Sequence, residues 1–157
     1  MKRYIFYFAV IFLVGMGAEQ KLFAQRALRS AVNRHIAREA RIQDGVEAGA
    51  RKILTGDLDG DGDRDAVVQY TLEGFGGGNN WSQLITVFTN RKGVYTFAGE
   101  EAVGGKFFAY TSTLSRISKG VISLKTETCA DSPQGLCRNP RKGIARFSLK
   151  NGKLSAM

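Results

Sequence analysis

The chain has 157 residues, a formal net charge of +9, two prolines and two cysteines. This length suits one small domain, and no internal repeat, low-complexity segment or long linker is visible, which argues against a repeat or multidomain protein. Two cysteines cannot form a structural zinc site, and no motif for nucleic-acid recognition is visible.

The N-terminus has the features of an export signal. A short basic region precedes the apolar run Tyr4–Ala18, which is shorter than the roughly twenty residues of a membrane span. We therefore predict a signal peptide over residues 1–25, with cleavage near Ala24, and leave open an earlier cleavage or an uncleaved anchor. The region holds no cysteine, which excludes a lipoprotein. Residues 26–157 are expected to form one periplasmic or secreted domain without a transmembrane span.

The segment Arg26–Ile42 predicts an amphipathic helix. Its apolar side chains recur at four-residue steps, at Leu28, Val32, Ile36 and Ala40. The sequence Gln43-Asp44-Gly45 follows, and Gly45 is the expected C-cap. We expect the apolar stripe to pack on a sheet. The alternative is that the arginines beside it form an anion-binding stripe.

An aspartate-rich run is the most informative part of the sequence. Five aspartates alternate in the pattern D-x-D-x-D-G-x-x-D, at Asp57, Asp59, Asp61, Asp63 and Asp65. The spacing predicts that the first three side chains converge, that Gly62 allows a sharp turn, and that the Asp63 carbonyl and Asp65 complete the shell. Hard oxygen ligands favour Ca²⁺ over Zn²⁺. The alternatives are a site that senses Ca²⁺ or contacts a ligand through the metal, and an acidic turn that binds no ion.

The run is not an EF-hand, because position twelve counted from Asp57 is Val68 rather than glutamate and a strand follows. The stretch from Gly56 to Val68 resembles the calcium loop and following strand of FG-GAP and VCBS repeats, and residues 85–95 resemble the next hairpin of such a repeat. The resemblance implies Ca²⁺ bound by the side chains of Asp57, Asp59, Asp61 and Asp65 and by the Asp63 carbonyl. Only one copy is present, which argues against a propeller of about four to eight blades. The chain also resembles small exported bacterial proteins that carry one such loop.

The rest of the chain predicts β-strands joined by short turns. The expected strands are Arg51–Thr55, Asp65–Leu72, Ser82–Thr89, Val94–Ala98, Lys106–Leu114, Val121–Thr128 and Ile144–Lys150. Short connections indicate antiparallel pairing. The predicted fold class is α+β, with the N-terminal helix packed on one antiparallel sheet of about six or seven strands.

The glycine-rich segment Gly74–Trp81 is neither a strand nor a phosphate-binding loop. Its aromatic residues, Phe75 and Trp81, are expected either to hold the loop against the body of the protein or to contact a sugar or peptide.

Catalysis is not expected. The single histidine, His35, lies within the predicted helix without a metal-binding partner at four-residue spacing. Glu100 and Glu101 are adjacent and diverge on a strand, which makes them a poor acid–base pair.

The C-terminal third predicts a disulfide and a basic surface. Cys129 and Cys137 are expected to form a disulfide in an oxidising compartment. Residues 138–153 contain six cations and no acid, a composition that attracts anions. The expected partner is an unknown protein or an anionic envelope polymer, not specific nucleic acid. We therefore predict an exported, calcium-stabilised, non-catalytic binding module, and the alternatives are a polyanion-binding envelope protein and a hydrolase with an unrecognised site.

Overall fold

The computed structural model describes residues 3–108, 110–128, 140–150 and 152–157, with side-chain surroundings from residue 22 onward. Within these residues the chain forms one α-helix, α1 (Arg3–Ile42), a short 3₁₀ turn (Phe75–Gly77), and eight strands. The strands are β1 (Val46–Gly56), β2 (Asp65–Glu73), β3 (Trp81–Arg91), β4 (Val94–Gly105), β5 (Tyr110–Ser118), β6 (Val121–Thr128), β7 (Arg141–Lys150) and β8 (Lys153–Ala156).

The strands form two antiparallel sheets of four strands each. Sheet A has the order β1-β2-β3-β4, and sheet B has the order β5-β6-β7-β8. The predicted α+β fold, with a helix on one sheet of about six or seven strands, is therefore wrong. The described chain is mostly β-strand, and its strands form two sheets that pack on each other.

The division into two sheets follows from the composition of strand β2, which is buried along almost its whole length. Successive side chains of a strand point to opposite faces. Val67 belongs to the core between the sheets, whereas Val68 and Tyr70 belong to the core beneath α1. A sheet that is apolar on both faces needs two covering layers, so α1 covers one face of sheet A and sheet B covers the other.

The predicted apolar stripe of α1 is confirmed. Val32 and Ile36 are fully buried against sheet A, while Leu28 and Ala40 are partly buried at either end of the contact. Burial of an aliphatic side chain of this size stabilises the fold by about 1.5–3 kcal/mol, so these contacts hold the helix on the sheet.

The helix ends where the sequence predicts, but a different residue makes the turn. Asp44 has φ 52°, and the N–H of Gly45 donates to the carbonyl of Ala40 at 2.8 Å. This is the hydrogen bond of a Schellman motif, with Asp44 rather than Gly45 in the left-handed position.

Side-chain amides of sheet A satisfy the edge of sheet B. The Gln69 Nε2 donates to the Ser112 carbonyl at 2.8 Å, and the Leu114 N–H donates to Gln69 Oε1 at 2.8 Å. The Ser112 N–H also donates to Gln83 Oε1 at 3.1 Å. Because β5 is an edge strand, these bonds replace a missing strand neighbour and fix the position of one sheet on the other.

All seven predicted strands correspond to strands of the structure, but several bounds differ. Strand β1 begins at Val46 rather than Arg51, β4 continues to Gly105 rather than ending at Ala98, and β7 begins at Arg141 rather than Ile144. Residues 106–108 form a turn rather than the start of β5, and β8 is an additional strand in the predicted C-terminal tail. The predicted disulfide between Cys129 and Cys137 lies outside the described residues. Among the helices of the described chain, none combines the length and the apolar character needed to cross a membrane.

The Gln69 bridge yields a first prediction. Gln69→Ala leaves a buried carbonyl and a buried N–H of β5 without partners, so the free energy of unfolding should fall by about 2–4 kcal/mol. Urea denaturation measures the change. Gln83→Ala removes a single acceptor and serves as the comparison, with a smaller expected loss of about 1 kcal/mol. Equal losses in the two variants would contradict the bridging role of Gln69.

Candidate metal centre

The aspartate-rich loop connects β1 to β2 at one end of the sandwich. The turn between β5 and β6 lies beside it, and a groove of about 490 Å³ between them is lined by Asp57, Asp59 and Lys119. A second groove, of about 630 Å³, opens on the other side of the loop next to Asp61 and Arg91. The loop is therefore open to solvent on two sides.

Three of the five predicted ligands come together. Carboxylate oxygens of Asp57, Asp59 and Asp61 all lie within 4.8 Å of one another, and all three residues are exposed. Within the described part of the chain, no lysine or arginine forms an ion pair with them. Three like charges at this distance repel one another, and a hard cation among them would remove the repulsion.

Backbone N–H groups already hold this cluster in shape. Gly60 and Gly62 donate to the two oxygens of Asp57 at 2.7 and 3.2 Å. The Asp61 N–H donates to Asp59 at 3.2 Å, and the Asp63 N–H donates to Asp61 at 2.9 Å. Gly60 and Gly62 have φ of 84° and 89°, which only glycine adopts without strain. The loop residues therefore fit a cation that needs several oxygen ligands from one short segment.

The other two aspartates point elsewhere. The Asp65 side chain is buried with 0% exposure, and its two oxygens accept from the N–H of Leu58 at 2.7 Å and of Asn90 at 2.8 Å. The Asp63 carboxylate accepts from the Lys92 N–H at 2.7 Å. The structure thus divides the predicted set into three converging carboxylates and two that tie the loop to the turn between β3 and β4. The contribution of the Asp63 carbonyl stays a prediction.

The electrostatics of Asp65 reflect this position. Burial raises the pKa of its carboxyl above the usual value, and the hydrogen bonds from Asn90 and Leu58 oppose the rise only in part. The charges of Asp59 and Asp61 raise its pKa further. A cation in the loop would act in the opposite direction, because a positive charge favours the ionised carboxylate.

Asn90 completes the connection and was not predicted. Its Nδ2 donates to the Arg64 carbonyl at 3.2 Å, and its Oδ1 accepts from the Gly93 N–H at 2.8 Å. The loop and the β3–β4 turn therefore form one hydrogen-bonded unit. The sequence distance between them hides this relation, since the only local signal is an asparagine in a tight turn.

A second polar cluster lies between α1 and sheet A, and it also was not predicted. His35 Nε2 lies 2.7 Å from Glu100 Oε2, which also accepts from the Tyr70 hydroxyl at 2.7 Å and from the Thr86 hydroxyl. The His35 ring stacks on Phe97, with centroids 4.7 Å apart. As predicted, Glu101 does not share the position of its neighbour and is exposed.

The cluster converges on one carboxylate. Burial by itself raises the pKa of Glu100, but the hydrogen bonds from His35, Thr86 and Tyr70 outweigh it and leave the pKa below the ordinary value of 4.5. Burial and the bond to Glu100 raise the pKa of Tyr70 well above its usual range. All of these donors point at one oxygen, and the arrangement joins the helix to three strands, β2, β3 and β4.

No family model, curated protein or solved structure matches the chain. The resemblance of residues 56–97 to an FG-GAP or VCBS repeat accordingly stays a prediction. The described fold pairs two four-stranded sheets with one covering helix, and its acidic loop lies at the end of the sandwich where β1 meets β2.

Asp65 should stabilise the fold whether or not a cation is bound. In Asp65→Asn an amide NH₂ faces a backbone N–H, so one buried hydrogen bond is lost and the free energy of unfolding should fall by about 1–3 kcal/mol. Urea denaturation should show this loss in chelator as well as in calcium. Asp63→Asn keeps an oxygen acceptor for Lys92 and should change little. A loss confined to the calcium sample would instead make Asp65 a ligand.

Glu100 should give the protein an acid-sensitive component of stability. A folded-state pKa below 4.5 means that the carboxylate stabilises the fold above that pH and that this contribution disappears as the pH falls through the folded pKa. Glu100→Gln should lower the free energy of unfolding at neutral pH by about 1–3 kcal/mol and flatten its decline in acid. Chemical denaturation at a series of pH values measures both effects. The control, Glu101→Gln, should leave the profile unchanged, and an unaltered profile in Glu100→Gln would refute the assignment.

Proposed function

We propose that the chain is an exported, calcium-stabilised binding module without catalytic activity, and that Asp57, Asp59 and Asp61 bind the Ca²⁺. The observation that carries the proposal is the convergence of three exposed carboxylates within 4.8 Å, together with the lack of a cationic side chain paired with them in the described chain. Bound Ca²⁺ would supply the positive charge that keeps the three carboxylates close together.

Calcium suits this site better than other common cations. The ligand atoms are carboxylate and carbonyl oxygens, which Ca²⁺ takes in numbers of about six to eight with flexible geometry. Mg²⁺ demands a tighter octahedron and gives up its waters reluctantly, and Zn²⁺ favours nitrogen and sulfur. Because the three aspartates are exposed, water can complete the shell, as in extracellular modules with dissociation constants of about 10⁻⁴–10⁻³ M.

The position of the loop explains how a cation there would stabilise the whole domain. Leu58, within the loop, is 5% exposed and belongs to the core between the sheets. Asp63 and Asp65 tie the same loop to the β3–β4 turn. Order imposed by Ca²⁺ on the three converging carboxylates would therefore extend to the core and to a neighbouring hairpin.

The proposed export and the absence of catalysis rest on different features. The basic and apolar start of the sequence supports a signal peptide over residues 1–25. The histidine cluster argues for a structural role, because His35 is 7% exposed and its Nε2 is engaged by Glu100. The proposed partner is a protein or an anionic polymer of the cell envelope, since the net charge is +9.

Thermal unfolding tests the calcium proposal. A Ca²⁺ concentration of about ten to one hundred times the dissociation constant should raise the free energy of unfolding of the purified protein by about 1.4–2.7 kcal/mol. This corresponds to a rise in melting temperature of roughly 4–10 °C. Mg²⁺ at the same concentration should give a smaller rise. An equal melting temperature in calcium and in chelator would refute the proposed site.

A charge-neutral variant separates ion binding from loop structure. Asp59→Asn/Asp61→Asn keeps one oxygen acceptor for the single backbone N–H group that each side chain binds but removes two charges, so it should lose the calcium response. In chelator it should melt no lower than the parent, because like-charge repulsion is reduced. Glu101→Gln/Glu127→Gln removes the same number of charges elsewhere and should keep the full response.

A further inference from the structure

The turn between β4 and β5 exposes two adjacent aromatic side chains. Phe107 is 79% exposed and Phe108 is 39% exposed, and the ring of Phe108 makes an edge contact with Tyr110. This turn lies at the opposite end of sheet A from the acidic loop, because β3 and β4 run the length of the sheet between the two ends. We call Phe107 and Phe108 the aromatic tip.

The aromatic tip is held in place by its neighbours. The Lys106 N–H donates to the Trp81 carbonyl at 3.0 Å, and the Phe108 N–H donates to the Gly105 carbonyl at 3.2 Å. A Cβ on Gly105 would lie 2.7 Å from the Trp81 carbonyl oxygen, so this close approach requires glycine. Lys106 also bonds to Asn79 of the glycine-rich loop. These contacts fix the backbone of the turn that presents Phe107.

A basic surface begins beside the tip, where Tyr110, Thr128 and Arg141 pair in register, and runs along the length of sheet B. The strand register places exposed cations on the outer face of this sheet, opposite the core; these are Arg116, Lys125, Lys142, Arg146, Lys150 and Lys153. On the described strands, Glu127 is the only acidic residue of this face, and it pairs with Lys142 between β6 and β7. We call this set the basic face. The basic face includes most of the cations of the basic segment, residues 138–153. Arg138 lies outside the described residues.

Two phenyl side chains are too small a surface for a stable protein interface. A buried aromatic contributes roughly 150–250 Å², so the pair offers well under the roughly 800 Å² that each partner of a stable complex buries. A soluble polyanion would satisfy the basic face but offers no apolar environment for the rings. An anionic bilayer offers both, because its headgroups are negative and its interface accepts amphipathic and aromatic groups.

We propose that the aromatic tip and the basic face together form a docking surface for an anionic lipid bilayer. Phe107 enters the interface, Lys106 and Arg141 lie near the headgroups, and the basic face draws the domain to the surface. The aromatic tip lies at the other end of the sandwich from the cation loop, whereas Lys150 and Lys153 of the basic face lie at the same end as the loop. The proposal requires no membrane-spanning segment.

Trp81 provides the readout, because it is the only tryptophan of the chain and its carbonyl holds the tip in place. The full chain is titrated, in chelator, with vesicles of phosphatidylcholine alone and of phosphatidylcholine with about one third phosphatidylglycerol. Binding to the anionic vesicles, a blue shift of the Trp81 emission and much weaker binding to the neutral vesicles are expected. No binding to the anionic vesicles would overturn the proposal. Chelator separates this result from any failure of the calcium site.

Matched variants separate insertion from simple attraction. Phe107→Ala should weaken binding to anionic vesicles by about ten- to one-hundred-fold, whereas Phe97→Ala, which removes a 45% exposed ring beside α1, should not. Lys142→Gln/Arg146→Gln should weaken binding by about five-fold per charge, and Arg34→Gln/Arg38→Gln on α1 should have less effect. If Phe107→Ala bound as tightly as the parent while the basic-face variant bound weakly, the surface would be a polyanion site and the bilayer proposal would fail.

Discussion

The burial of both faces of sheet A is the constraint on which the rest of the structure depends. Strand β2 carries apolar side chains on both sides, so neither side can face water. The helix and sheet B supply the two covers, and each is held by a few fully buried side chains, such as Val32 on one side and Leu124 on the other. Because the interior is three layers thick, a polar group placed inside it costs free energy unless it finds a hydrogen-bond partner, and some of these partners lie across a layer boundary.

Three polar side chains meet that requirement, and each joins two layers or two loops. Gln69 bonds to the edge strand of sheet B, Glu100 accepts from the helix and from two strands, and Asp65 accepts from the loop and from the next hairpin. Apolar packing alone tolerates small shifts between layers, whereas hydrogen bonds of fixed direction do not. These side chains therefore fix the position of each layer relative to the next. Asp65 holds the acidic loop in position whether or not a cation is bound.

The sequence could predict what depends on neighbours along the chain. The aspartate spacing, the stripe of α1 and the strands joined by turns all follow from local periodicity, and the structure contains each of them. The number of sheets could not be predicted, since a short turn looks the same whether the next strand joins its neighbour or crosses to a second sheet. The bond between His35 and Glu100 spans 65 residues, and the division of the five aspartates depends on Lys92 and Asn90, which belong to another hairpin.

The two ends of the sandwich are physically separated in a way that permits two independent roles. Strand β3 runs from Trp81, beside the aromatic tip, to Arg91, beside the acidic loop. At about 3.3 Å per residue this distance is roughly 33 Å, which exceeds three Debye lengths at physiological ionic strength. A cation in the loop therefore cannot alter the tip through its charge. It can act on the tip only through the packing and the stability of the sheets between them, because a close-packed interior transmits strain. Calcium should thus act on the tip through folding and packing, whereas insertion of the folded protein into a surface depends on the aromatic tip and its attraction to that surface depends on the basic face.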